Sequence, residues 1–141
     1  MSLKLALNLK RNYSINFDLP KRRKKNIIFI IIHYTGMKKQ SDAIKKLCDP
    51  NSKVSSHYVI KKNGKVLNLV PDLYTAWHAG KSRWKKLKSL NKYSIGIEIS
   101  NAGHEFGYQK FSSKQIISLI KLLQYLVKNY SIKKENILGH S

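Results

Sequence analysis

Acidic residues are scarce in this sequence: 7 Asp and Glu stand against 28 Lys and Arg in 141 residues, a formal net charge of +21. Any carboxylate that falls inside an apolar segment is therefore conspicuous. Cysteine is scarcer still. The single one, Cys48, excludes an internal disulfide framework and, set in AIKKLCDP, reads as a buried structural thiol. No apolar run approaches the roughly 20 residues of a membrane-spanning helix. The first residues, MSLKLALNLKRNYS, have neither a clear apolar h-region nor a small-residue cleavage site, so no secretory signal is expected. The expected location is cytoplasmic, with the cell-wall side as the alternative.

What is present suits one globular domain. The chain is 42% hydrophobic and long enough to bury a single core. Its positive surplus draws a protein towards polyanions such as nucleic acid, anionic lipid or an acidic wall polymer. The lysines are spread along the chain rather than gathered in one stripe, which reads as a general bias in composition and predicts no specific nucleic-acid partner. Electrostatic attraction to anionic wall or membrane surfaces is expected all the same.

Residues 1–25 read as a basic, extended lead-in and 26–141 as the folded domain. Ile27 to Ile32 form six apolar residues in a row, bounded by KRRKK before and HYTG after, the pattern of a strand covered on both faces. His33 stands at its end. SDAIKKLC predicts a short helix with Ser41 as N-cap, ended by Asp49 and Pro50. VSSHYVIKKNGKVLNLVP predicts a β-hairpin turning at Asn63 and Gly64. The stretch from Asp72 to Tyr93 reads as a loop that packs aromatic side chains. In SIGIEIS, Ile95, Ile97 and Ile99 face one way, and Gly96, Glu98 and Ser100 the other. An acid in that strand costs several kcal/mol unless it is paired or near water. Ser112 and Gln115 predict a capping box for a helix whose apolar face runs through Ile116, Leu119, Ile120, Leu123, Val127 and Tyr130. NILGHS closes the chain as a short strand with His140 at its end.

His33, Glu98 and His140 thus stand at strand ends or on a strand face. Two neutral imidazoles with a further donor and an open position make a hydrolytic zinc site, and a nearby carboxylate then moves the proton. Histidines so far apart follow no local metal motif, and spacing alone leaves core or surface histidines as the alternative.

The wording of the segments carries more. IIIHYTG, VSSHYVIKKNGKVLNLVP, AWHAGKS, NKYSIGIEISNAG and ILGHS, in this order, resemble the zinc-dependent N-acetylmuramoyl-L-alanine amidases of the amidase-2 type. That group includes AmpD-like amidases, phage lysozyme-amidases and peptidoglycan recognition proteins. SINFDLPKRRK is similar to the SPNFD-type start of bacterial members, so the resemblance runs from about Ser14 to Ser141. It implies an α/β fold, a central mixed sheet flanked by helices with the cleft at one end of the strands. It also implies His33 and His140 as zinc ligands, Glu98 as general base, and peptidoglycan or a muropeptide as substrate. The reaction implied is hydrolysis of the amide between N-acetylmuramic acid and L-alanine. Ser56 stands where the phage and recognition-protein branch has a tyrosine, which sides the chain with the glutamate branch.

His57, Trp77, His78 and Asn101 also match family segments. A role behind the site or against substrate and a plain packing role stay open for His57. Trp77 and His78 are expected to line the groove or buttress the loop, and Asn101 to bind peptide backbone or simply to shape a turn. His104 reads as an exposed loop histidine. The family's segment DIAPGRKxDPG, with a third zinc ligand and an oxyanion lysine, does not occur in the 141 residues. The expectation is a catalytic domain lacking its C-terminal segment, with zinc held weakly and turnover slow or absent. The competing readings are a non-catalytic muropeptide-binding module and a basic nucleic-acid-binding protein.

Overall fold

The computed structural model describes residues 10–11, 13–80, 82–84, 86–107 and 109–139. In chain order its elements are β1 (Lys10–Arg11), β2 (Phe17–Asp18), β3 (Phe29–Tyr34), α1 (Gln40–Cys48), β4 (Tyr58–Ile60) and β5 (Val66–Asn68). They continue with β6 (Thr75–Ala76), β7 (Arg83–Trp84), β8 (Leu87–Lys88), β9 (Ser94–Ile99), α2 (Ser113–Tyr130) and β10 (Ile137–Gly139). Six strands form one mixed sheet in the order β1-β5-β4-β9-β3-β10. The pairs β3 with β9, β9 with β4, and β10 with β3 are parallel, and β4 with β5 is the antiparallel hairpin. Gly64 closes its turn at φ +86, a conformation that L side chains rarely adopt.

Each face of the sheet is covered, as the unbroken apolar character of β3 requires. Ile30 of β3 and Ile95, Ile97 and Ile99 of β9 pack on one side with Leu122 and Leu126 of α2. On the other side α1 brings Leu47 onto Val59, Leu67 and Leu69, while Ala79 and Leu90 cover Phe29 and Ile31. By strand alternation His33 shares the second side with Phe29 and Ile31, and Glu98 shares it with Gly96. Asp72 links the layers: its Oδ1 accepts from the Tyr58 hydroxyl and its Oδ2 from that of Tyr130, each at 2.6 Å.

Three sequence expectations shift. The strand begins two residues later than the apolar run and continues through His33 and Tyr34, so the histidine lies within β3 and not beyond it. Ser41 lies inside α1, whose N-cap is Lys39 with no side-chain cap bond, whereas the capping box of Ser112 and Gln115 is present as expected. The buried face of α2 runs through Gln115, Leu122 and Leu126, with Leu119, Leu123, Val127 and Tyr130 partly buried beside it. Ile116 and Ile120 are about half exposed, because they sit a third of a turn away from the line that meets the sheet.

The expected lead-in is stitched into the domain. β1 pairs with β5, and β2 with β6. Ser14 Oγ donates to Leu47 O at 2.7 Å, and Asn16 Nδ2 donates to Asp49 O and Val54 O at 2.9 and 2.8 Å, so the polar side chains of this segment face in. Among the described residues no helix is long and apolar enough to cross a membrane.

Leu122→Ala and Leu126→Ala are each expected to lower unfolding free energy by about 2–5 kcal/mol, against about 1 kcal/mol or less for Ile120→Ala at the half-exposed edge. Urea denaturation of the three variants measures this, and an equal loss at Ile120 would show that the face is misplaced.

Candidate functional site

The site is built on the second side of the sheet, where β3 and β9 run in parallel and the register sets His33 directly against Glu98. Neighbouring strands lie about 4.8 Å apart, so both side chains leave the sheet side by side. His33 is only 7% exposed. Glu98 lies between β3 and β4, opposite Val59 on its other flank. Its Oε2 is buried and accepts no hydrogen bond among the described residues. Burial raises its pKa from 4.5 to about 8, with the Lys46 ammonium pulling the other way. A carboxyl kept in this state is poised to exchange a proton near neutral pH.

Glu98 and His33 each line a hollow. A cavity of about 150 Å³ is lined by Glu98, His78, Trp77, Lys46 and Thr35, among others. A groove of about 420 Å³ lies on the α2 side, with His33, Tyr34, Phe111 and Ile116 in its wall.

The expected loop residues Trp77 and His78 do converge on the site. Trp77 Nε1 donates to Asp18 Oδ1 at 3.0 Å, while its backbone N–H donates to Ser55 Oγ at 2.9 Å. Asn91 Oδ1 accepts from the backbone N–H of His78 and Ala79 at 3.2 and 2.9 Å, which fixes the loop. The His78 ring then lies over Gly96, where a Cβ would come within 2.3 Å of its Cγ. Its Nδ1 is 3.0 Å from His33 Nε2.

His57 sits one layer deeper and does not open into the cleft. It is fully buried, its Nδ1 accepts from Gly96 N–H at 3.0 Å, and its Nε2 lies 2.8 Å from Tyr74 O, to which it must donate. Burial first, and then the Arg22 charge, lower its pKa to about 3, so the ring stays neutral. Its ring centroid is 5.9 Å from that of His78, which places it behind the site. Arg22 closes this layer, donating through Nη1 to Asn91 O at 3.0 Å and Ser94 O at 2.7 Å, and through Nη2 to Asp72 O. Asn101 is 4% exposed; its Oδ1 accepts from Gly103 N–H and its Nδ2 donates to Gln109 O. That geometry supports the turn reading. His104 is exposed and stacks edge-on to Tyr34, with ring centroids 6.3 Å apart. His140, expected as the second zinc ligand, lies outside the described residues. Among the described residues no three His, Cys, Asp or Glu side chains come together as a metal centre.

Sequence reasoning did not single out Lys46, Ser94 or Arg22. Gly96 carried a signal in retrospect: the one residue without a side chain in the strand SIGIEI marks a close approach.

The sequence profile of the N-acetylmuramoyl-L-alanine amidase family matches residues 23–141. The chain is 37% identical over 124 residues to the N-acetylmuramoyl-L-alanine amidase AmiD of Escherichia coli, covering 79% of this chain and 44% of that protein. It is 35% identical over 89 residues to the 1,6-anhydro-N-acetylmuramyl-L-alanine amidase AmpD of Haemophilus influenzae, covering 62% and 46%. The solved complex of E. coli AmiD with anhydro-N-acetylmuramic acid-L-Ala-D-gamma-Glu-L-Lys superposes with a TM-score of 0.73 at 33% identity, over 87% of this chain and 51% of that one. The chain thus spans less than half the length of these two curated relatives.

In metal-free protein the raised Glu98 pKa makes the folded state hold a proton that the unfolded chain has lost between about pH 4.5 and 8. Stability should therefore fall as pH rises through that window. Glu98→Gln cannot ionise, so its stability relative to the parent should improve from pH 4 to pH 9, by up to a few kcal/mol at about 1.4 kcal/mol per pKa unit. Thermal unfolding of both proteins across the range reads the difference, and a pH-independent gap would show that Glu98 is not desolvated.

Proposed function

The chain belongs to the N-acetylmuramoyl-L-alanine amidase family, whose profile covers residues 23–141, and on that premise we propose that it hydrolyses the amide between N-acetylmuramic acid and L-alanine in peptidoglycan or a muropeptide. The observation that carries this reading is the β3–β9 register, which sets an imidazole beside a carboxyl that lines a cleft and whose buried Oε2 has no partner among the described residues. A module that only bound muropeptide would have no use for a desolvated base.

The donor chemistry at His33 fits zinc: a buried imidazole anchored through one ring nitrogen, with a carboxylate beside it. We assign His33 and His140 as its ligands; in sequence His140 follows Gly139, which pairs with Ile32, the residue before His33. When bound, zinc lowers the pKa of a water to about 7 and polarises a carbonyl. Glu98 takes the proton from the attacking water as oxygen adds to the amide carbon, then passes it to the L-alanine nitrogen as the C–N bond breaks. Trp77 lines the cleft, and Lys46 adds positive charge next to Glu98. The surplus of 21 positive charges supports attraction to an anionic wall polymer.

With zinc present, release of stem peptide from an anhydromuropeptide, followed by mass spectrometry, tests the proposal. Glu98→Gln is expected to lower kcat by about 10²–10⁴-fold while zinc and muropeptide binding persist, and His33→Ala to lose zinc. Muropeptide binding by the zinc-loaded parent with no cleavage would instead make it a binding module. Turnover unchanged in Glu98→Gln would remove the base.

A further inference from the structure

The contact between His33 and His78 determines which nitrogen of each ring carries a proton. Ser94 Oγ lies 2.7 Å from Leu90 O. A carbonyl oxygen only accepts, so the single hydroxyl proton of Ser94 is committed to it. The same Oγ lies 3.0 Å from His78 Nε2, and with its proton used it can only accept there. His78 Nε2 therefore bears hydrogen. In a neutral imidazole the other nitrogen is then the lone pair, so His78 Nδ1 is an acceptor and His33 Nε2, 3.0 Å from it, is the donor. The lone pair of His33 is left on Nδ1.

We propose that His78 is a positioning residue that holds His33 in its Nε2–H form and so assigns Nδ1 as the metal-ligating atom. This rests on the reading of His33 as a zinc ligand.

Geometry fixes the relay. The His78 ring occupies the space above Gly96 that any side chain would fill, at 2.3 Å from its Cγ. His57 stacks edge-on against it, with an interplanar angle of 66°, and has its own tautomer locked between Gly96 N–H and Tyr74 O. Ser94 is anchored in turn, its carbonyl accepting from Arg22. Metal-bound histidines commonly donate their second N–H to a carboxylate or backbone carbonyl; here a neutral imidazole takes that place. It orients the ring as those acceptors do but pushes less electron density onto His33, which would leave a bound metal more acidic.

The tautomers are read without activity. Long-range ¹H–¹⁵N correlation spectra of the ¹⁵N-labelled, metal-free 141-residue chain at pH 8 should show Nε2–H for both His33 and His78. On adding zinc, the His33 Nδ1 resonance should shift while its Nε2–H remains. His78→Phe keeps a flat ring but no acceptor and should weaken zinc binding about 10–100-fold. His78→Gln, with an amide oxygen within reach, should recover part of the loss, and Ser94→Ala should leave His78 as a mixture of tautomers. Melting curves confirm that each variant is folded. If His78→Phe fails to fold, the spectra of the parent and of Ser94→Ala still decide. An Nδ1–H form of His33 in the metal-free parent, or zinc affinity unchanged in folded His78→Phe, overturns the relay alone. A His33 ring untouched by zinc overturns the metal reading on which it rests.

Discussion

The parallel pairing of β3 with β9 is the constraint on which everything else depends. Its register joins Ile30 to Ile95 and Ile32 to Ile97 on one side of the sheet, and Ile31 to Gly96 and His33 to Glu98 on the other. A slip of one residue would turn Ile95 and Ile97 out of the α2 core and carry Glu98 into it. The apolar side, where Ile30, Ile95 and Ile97 have no exposure, thus supplies the energy that holds a polar pair in place on the opposite side. The site is positioned by residues that take no part in its chemistry.

Behind the pair lies a polar layer that is costly to bury and correspondingly specific. Arg22 loses enough hydration for its pKa to fall to about 10, yet it stays charged at neutral pH. Its guanidinium is met by the carbonyls of Asn91, Ser94 and Asp72. Asp72 in turn receives Tyr58 from the sheet and Tyr130 from α2. Such a network contributes little net stability once desolvation is counted, but only one arrangement of its members satisfies the partners. Here that arrangement aligns β9, the loop through Asn91 and the floor under His78. The rigidity of the histidine layer follows from it.

Glu98 and Arg22 show how differently the protein treats its buried charges. Arg22 donates through Nη1 and Nη2 to three carbonyls and keeps its charge, although its buried Nε has no partner among the described residues. Glu98 has an oxygen without a partner among the described residues and its proton affinity rises. Groups that only hold a fold together are normally satisfied. An acid with an unpartnered oxygen lining a cavity, inside a chain with seven carboxylates against 28 cations, is the feature that supports the proposed base.

The strand under IIFIII, the hairpin turn at Gly64, the capping box and the conspicuous position of Glu98 were all legible in the sequence. Each follows from short-range periodicity or from backbone sterics within a few residues. The inward polar residues of the lead-in, the true buried line of α2 and the depth of His57 were not, because they depend on which surface arrives from elsewhere in the chain. By itself the sequence determined the kinds of group available: a histidine at the end of a rigid strand, and an acid where apolar residues belong. Only the tertiary structure decided that Glu98 stands beside His33, that Gly96 leaves room for His78, and that Ser94 orients that ring. Those relations are set by register and close approach between segments 16 to 65 positions apart, and no local pattern encodes them.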